Sequence, residues 1–395
     1  MASAQPSVPT FTPDSGPVGT KVTIGGTATP GAEIRIYWET ITEANLLNTT
    51  WAVGTGGAFS VIITVPEDVK GDHTVYIYDM AAHATTSKTF AITSEIKLKP
   101  NKGLPGDSVT VTGTGFAGEA EVRIYFGTIT SHTDTLSGDG SKTEFQLAHY
   151  PVVLSTVTVT QSVSAESLTF TGSGTSTDPY TETLANTPIV ADSVTITVEV
   201  TITDGAASGS GTVTIEDDTT GALTGSAGIT VDGTTVTVTF SGDVNYDTGV
   251  ITLTVTTSGG TSPTLTITSA SAAYTPNIAY VINYPTGVIT FAKAPTSDVT
   301  INVSYSYADY DVTPIGGVTT SALGSFEAAI EVPSVTQHGD YDVTAYDAQG
   351  NSDSETLKVD YYILVEPTSA PVGFPIRVTG RMAPDSTVDI FFGKG

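Results

Sequence analysis

Glu121-Val-Arg-Ile-Tyr-Phe-Gly127 reads as a strand in the middle of a domain, and the rest of that domain does not follow it. The same strand occurs earlier as Glu33-Ile-Arg-Ile-Tyr-Trp38. There the chain continues through Gly57-Ala-Phe59, Ile63-Thr-Val-Pro66, Gly71-Asp72-His-Thr-Val75 and Tyr78-Asp79. The counterparts of those segments after Gly127 are Gly324-Ser-Phe326, Ile330-Glu-Val-Pro333, Gly339-Asp340-Tyr-Asp-Val343 and Tyr346-Asp347. One loop of a second module has therefore taken in most of residues 131 to 307. Such an insertion is tolerable because each doubling of loop length costs only about 0.6 kcal/mol of closure entropy.

The same register extends upstream. Pro13, Gly16, Gly19, Val22, Ile24 and Gly26 recur at constant offset as Pro100, Gly103, Gly106, Val109, Val111 and Gly113. A third copy starts at Pro367, with Gly373, Ile376, Val378 and Gly380 in register and Val388-Asp-Ile-Phe-Phe392 as its later strand. Val22 and Ile24 alternate with Lys21 and Thr23, the period of a strand with one buried face. Six or more short strands in about ninety residues, separated by turns, predict an antiparallel sandwich.

The insertion carries its own duplication. Ala148 to Thr160 is echoed by Ala185 to Thr197, and Asn245-Tyr-Asp-Thr-Gly249-Val-Ile-Thr by Asn283-Tyr-Pro-Thr-Gly287-Val-Ile-Thr. Two front halves precede two back halves. Connections avoid crossing, so the inner halves pair with each other and the outer halves with each other; exchange of halves is the alternative. The expected domains are 6–95, the discontinuous 96–130 plus 308–361, an outer inserted module at 131–171 plus 273–307, an inner one at 172–272, and an incomplete third repeat at 362–395.

The Pro-x-x-Gly-Pro-Val-Gly-Thr-x-Val-Thr-Ile-x-Gly run at 13 to 26, with its copies at 100 and 367, resembles the IPT/TIG-like immunoglobulin-like repeats of prokaryotic surface proteins. The inserted Asn-Tyr-x-Thr-Gly-Val-Ile-Thr modules resemble β modules of phage virions and bacterial surface proteins. The first resemblance implies immunoglobulin-like sandwiches, a cell-surface or filament setting and no catalytic residues. The expected fold class is then all-β: tandem immunoglobulin-like sandwiches, the second interrupted by two nested β-sandwich modules.

Composition narrows the function further. Fourteen basic residues against forty-one acidic give a net charge of -27 and no basic stripe, which argues against nucleic acid and anionic lipid as partners. The absence of cysteine removes disulfides, thiol catalysis and thiolate metal sites. No apolar run approaches the roughly 20 residues that span a bilayer, and Met1-Ala-Ser-Ala-Gln5 lacks the charged and apolar regions of a signal peptide, although its Ala-Ser-Ala resembles the small-residue tail of a cleaved one.

Sites are few. Gly113-Thr-Gly115-Phe-Ala-Gly118 matches a dinucleotide fingerprint in letters, but that motif needs a helix after it, and here another strand is expected. Acidic loops are the candidates for metal: Asp217 and Asp218 come first for calcium, although no loop has the spacing of a calcium-binding hand. His73, His83, His132, His149 and His338 show no pair at ligand spacing, so no zinc site is expected. Asn48-Thr-Thr50 and Asn302-Val-Ser304 are glycosylation sequons. No cofactor and no enzymatic activity are expected.

The expected function is that of a non-catalytic extracellular structural protein of a prokaryotic cell surface: a surface-layer, filament or adhesin-stalk subunit that associates with itself. A virion tail or decoration protein, and a module binding cell-surface glycan, are the alternatives. Tyr361 and Tyr362 are expected to seal the junction before the third repeat. That repeat supplies only the front half of a sandwich, to be completed either by further chain or by a neighbour's strand.

Overall fold

The computed structural model describes residues 5–259, 263–335, 338–360, 362–381, 387–391 and 393. Among them the protein is all-β, with a single 3₁₀ turn at Glu43–Asn45 and no α-helix. Thr, Val and Ile alternate along most strands, so one face of each is apolar and finds a second sheet to cover it. The chain divides into two compact units: residues 1–130, 151–156 and 306–395 form one, and residues 131–150 and 157–305 the other.

The first unit opens with a complete sandwich. Ser7–Thr12, Lys21–Thr27 and Ala58–Thr64 make a three-stranded sheet. Ser15–Gly16, Ala84–Ile92, Gly71–Asp79, Glu33–Trp38 and Leu46–Trp51 make the opposing five-stranded one. Val22, Ile24, Val61 and Ile63 of the first sheet meet Ile34, Ile36, Val75, Ile77 and Phe90 of the second, all buried in one core.

The second sandwich is assembled from both sides of the insertion. Ser108–Thr114 pairs with Glu95–Lys99 on one edge and with Phe326–Glu331 on the other, in a register that sets Val109 against Ile330 and Gly113 against Phe326. Glu121–Ser137 pairs with Gly339–Asp347, Ile124 opposite Ala345. Val111, Ile124, Ala328, Ile330, Val343 and Leu357 share one core. The strands Glu121–Ser137 and Thr300–Asp311 carry the chain out of this unit and back into it. At their base the Arg123 guanidinium meets Asp311 at 3.0 Å, and Ile124 N–H donates to the Thr313 hydroxyl at 2.8 Å.

Of the third repeat, Tyr362–Glu366 pairs with Arg377–Arg381, with Val365 opposite Val378. The peptide bonds before Pro13, Pro100 and Pro367 are cis in all three copies. Residues 387–391, expected to begin the later strand of this copy, form no strand, and Phe392 lies outside the described residues, as does Tyr361. In the first sandwich the matching strand, Glu33–Trp38, is held by Gly71–Asp79.

In the second unit, eight antiparallel strands run in the order Ser164–Leu168, Thr264–Tyr274, Thr195–Asp204, Ala207–Asp217, Ala222–Val231, Thr234–Val244, Val250–Ser258 and Tyr180–Thr183. The two end strands approach each other, and a bridge between Thr171 and Thr181 nearly closes the sheet into a barrel. Ile196, Val198, Val213, Ile215, Leu223, Val238, Phe240, Ile251 and Leu253 fill its interior. The larger sheet of this all-β unit is thus curled into a near-barrel. Ser164–Leu168, expected in the outer module, pairs with Thr264–Tyr274 and belongs to the barrel. The remaining strands include a small sheet of Glu144–Gln146, Val288–Phe291 and Tyr280–Asn283.

The duplication in this unit appears as matched hydrogen bonds. Leu147 N–H donates to the Gly287 carbonyl at 2.9 Å, and Leu184 N–H to the Gly249 carbonyl at 3.0 Å. Inner halves therefore meet inner and outer meet outer, without exchange.

Candidate functional site

The acidic turn at 217–218 is built by a hairpin whose strands are Ala207–Asp217 and Ala222–Val231. Asp218 Oδ1 accepts Thr220 N–H at 2.8 Å, the Thr220 hydroxyl at 2.6 Å and Ala222 N–H at 3.1 Å. These donors, the Thr220 hydroxyl foremost, hold the Asp218 carboxyl below the usual carboxylate range. Asp217 Oδ1 accepts Val194 N–H at 2.8 Å, and its Oδ2 takes the Tyr246 hydroxyl at 2.8 Å. Tyr246 also hydrogen-bonds the Asp218 carbonyl. The two carboxylates thus point at donors of their own turn and of Tyr246. Among the described residues no group of three or more His, Cys, Asp or Glu side chains converges as a metal cage would require.

Gly113 to Gly118 is a turn. Gly115 has φ +67°, Phe116 is fully buried against Phe326 at 5.3 Å between ring centroids, and the next element is the strand from Glu121. The sequons lie on strands, not on loop tips. Asn48 Nδ2 donates to the Ile62 carbonyl at 2.8 Å, and the Thr50 hydroxyl to the Ser60 carbonyl at 3.3 Å, so this triplet caps a sheet edge. Asn302 Oδ1 accepts the Thr135 hydroxyl at 2.9 Å.

The structure assembles polar constellations that spacing in the chain did not reveal. Asp79 and Asp347, matched in the two sandwiches, are both fully buried. Asp79 accepts N–H bonds from Thr29, Ala81 and Ala82 at 2.8 to 2.9 Å. Asp347 accepts from Ala117, Gln349 and Asn351 at 2.8 to 3.0 Å. Burial pushes the Asp79 carboxyl up, but the N–H donors outweigh it and hold the group below its ordinary value. The signal in the sequence was the repeated Tyr78-Asp79 and Tyr346-Asp347, in which the acid could be recognised as a cap only once its loop was known.

The inserted unit has its own repeated device. Tyr274 donates its hydroxyl to Glu166 at 2.6 Å and accepts Asn186 N–H at 2.9 Å, while Glu166 takes Ala185 N–H at 2.9 Å. Tyr305 donates to Asp134 at 2.9 Å and accepts His149 N–H at 3.1 Å, while Asp134 takes Ala148 N–H at 2.8 Å. Burial, and then the Glu166 acceptor, push the Tyr274 phenol up to about 12. Beside this second copy, and against the expectation of scattered histidines, the rings of His132 and His149 meet edge to face at 4.5 Å, with His132 Nε2 3.2 Å from Asp134. His73, by contrast, is buried, between Glu39 and Val69.

These features define an all-β, multi-module protein whose buried polar groups cap turns and tie strands. No family model matches the chain, and no curated protein matches it. Among solved structures it is similar to Salmonella alpha-2-macroglobulin reacted with methylamine, at 8% identity and a TM-score of 0.17, over 95% of this chain and 25% of that one. It is also similar to a protein crystallised with a xylogluco-oligosaccharide, at 9% identity and a TM-score of 0.16, over 78% of this chain and 80% of that one. Likeness at that level carries no argument about fold or function. The chain spans about a quarter of the alpha-2-macroglobulin chain.

Proposed function

We propose that the chain is a non-catalytic structural protein of a prokaryotic cell surface, a subunit of a surface layer, filament or adhesin stalk that works by geometry and self-association. The observation that carries this reading is the host sandwich completed across its insertion, with Ser108–Thr114 between Glu95–Lys99 and Phe326–Glu331. Modules stacked in tandem set length, and a module inserted into a loop displays a second surface without breaking its host. The first sandwich is also fastened to the second: the Ser94 hydroxyl donates to the Gly115 carbonyl at 2.8 Å. Such a joint suits a spacer. The net charge of -27 suits an exposed, soluble surface. Among the described residues no helix is long and apolar enough to cross a membrane.

The inserted Asn-Tyr-x-Thr-Gly-Val-Ile-Thr modules, which resemble β modules of phage virions and bacterial surface proteins, favour a second reading, a virion tail or decoration protein. Antibody raised against the purified chain and applied to fractionated cultures of the source organism separates the two. Label on the cell envelope, with sheets or fibres of the purified protein by negative stain, is the expected result. Label confined to virus particles supports the second reading, and label in the cytoplasm overturns both.

A further inference from the structure

We propose that the first two sandwiches are tension-bearing links, each locked by a parallel strand pair, and that the inserted unit carries no load while the second lock holds. The inference rests on the stalk reading for its biological use, since only a tethered chain is pulled, but its test reads force and not location. In the first sandwich Ser15–Gly16 runs parallel to the last strand, Ser15 opposite Ala91 and Gly16 opposite Ile92. Ala91 N–H donates to the Asp14 carbonyl at 2.9 Å, and Thr93 N–H to the Gly16 carbonyl at 3.1 Å. The second sandwich repeats the device, with Lys102 opposite Lys358 and Gly103 opposite Val359, again parallel. Lys358 N–H donates to the Asn101 carbonyl at 3.0 Å, and Asp360 N–H to the Gly103 carbonyl at 3.2 Å.

Tension in a tandem array enters each sandwich ahead of its short lock strand and leaves after its last strand. Two parallel strands pulled in that way, one by its upstream end and the other by its downstream end, slide along a common axis. The hydrogen bonds between them are then strained together and not one after another, which is the arrangement that resists. While a lock holds, the load crosses it directly: from Gly16 to Ile92 in the first sandwich, and from Gly103 to Val359 in the second. The chain enclosed between those residues is bypassed. The first sandwich hands its load straight to the second, since its last strand ends at Ile92 and the next strand begins at Glu95.

The inserted unit lies wholly inside the second lock. Its two stem strands, Glu121–Ser137 and Thr300–Asp311, are neighbours in one sheet of the host. They are tied at the base, where Thr128 N–H donates to Asp309 Oδ2 at 2.8 Å and Val312 N–H to the Ile124 carbonyl at 2.9 Å. The two ends of the insertion are thus held side by side within the host, and tension reaches them only after the host has opened. A stalk built this way bears load without disturbing whatever surface the insertion displays.

Single-molecule stretching of the full chain between handles at its two ends tests this, and the absence of cysteine makes any introduced thiol a unique attachment point. At roughly 3.4 Å per extended residue, each sandwich should release about 30 nm and the inserted unit about 60 nm. The long release should never come first. Ala91→Pro and Lys358→Pro each delete an amide that donates across the lock, and each should speed forced unfolding of its own sandwich about fivefold at a given load, the effect of one net hydrogen bond. In Ala91→Pro, where the first sandwich opens earliest, the long release should follow both short ones. Should either variant fail to fold, the chain is pulled instead between its N-terminus and Ala81→Cys. That handle loads the first sandwich from the start of its last strand, remote from the lock, and the sandwich should yield at lower force than in end-to-end pulling. A long release ahead of the host's own overturns the shielding. Variants that unfold at the wild-type rate, or equal forces in the two pulling directions, overturn the lock.

Discussion

Gly113 lies directly across the sheet from Phe326, so close that a Cβ on the glycine would stand 2.1 Å from ring carbon Cε1. The two residues come from opposite sides of the insertion, and Phe326 in turn packs edge to face on Phe116. Gly113→Ala therefore overfills a core that has little room to yield, at a cost of about 1–3 kcal/mol. Phe326→Leu should relieve part of that cost. A double-mutant cycle on chemical denaturation of the first unit is expected to show positive coupling between the two positions, and additive effects would contradict the pairing.

Asp79 links stability to pH. Its folded-state value lies below the ordinary one, so its contribution is fully present above the unfolded value, about 3.9, and is lost as pH falls through the folded value. Asp79→Asn presents an amide to three N–H donors and leaves at least one unmatched, costing about 1–3 kcal/mol at neutral pH. The difference in midpoint between wild type and Asp79→Asn should shrink as a urea series is moved from pH 7 toward acid. A difference that stays constant down to pH 2 would falsify the assignment.

The split second sandwich was legible in the chain because its host repeat is present whole beforehand: Gly26 and Gly113, or Tyr78 and Tyr346, mark register without any need for three-dimensional information. The barrel was not legible in the same way. Ser164-Ala-Glu-Ser-Leu168 is too short and polar to state which neighbour it pairs with, and closure depends on a bridge between Thr171 and Thr181, two residues indistinguishable from the many other threonines. His132 and His149 meet because a strand and a turn converge on Asp134, and no local spacing encodes that. His73 looked like an ordinary strand residue because the groups that give it meaning, Glu39 and Val69, lie on a different strand end and a loop.

Tyr274 and Tyr305 hold equivalent positions, so their substitutions should behave alike in direction. Tyr274→Phe removes a donor to Glu166 and an acceptor of Asn186 N–H, leaving a buried N–H unpaired, at about 1–3 kcal/mol. The phenol is held at about 12, above its unfolded value of about 10, so its stabilising share is complete below pH 10 and disappears as pH rises toward 12. Alkaline unfolding followed by tyrosinate absorbance should show wild type losing stability over that window while Tyr274→Phe, already lacking the phenol, loses less.

The Asp217–Asp218 turn gives a sharp expectation for calcium. Both carboxylates already accept hydrogen bonds from Val194, Thr220, Ala222 and Tyr246, and a hard cation would have to displace several of these donors, while among the described residues no group of three or more His, Cys, Asp or Glu side chains converges there. Thermal melts of the full chain in excess calcium and in excess chelator should therefore coincide. Asp218→Ala should lower the melting temperature of the second unit by the same amount in both, because it removes an acceptor of the turn and not a ligand. A melt that calcium raises in wild type but not in Asp218→Ala would reverse this reading and make the turn a cation site.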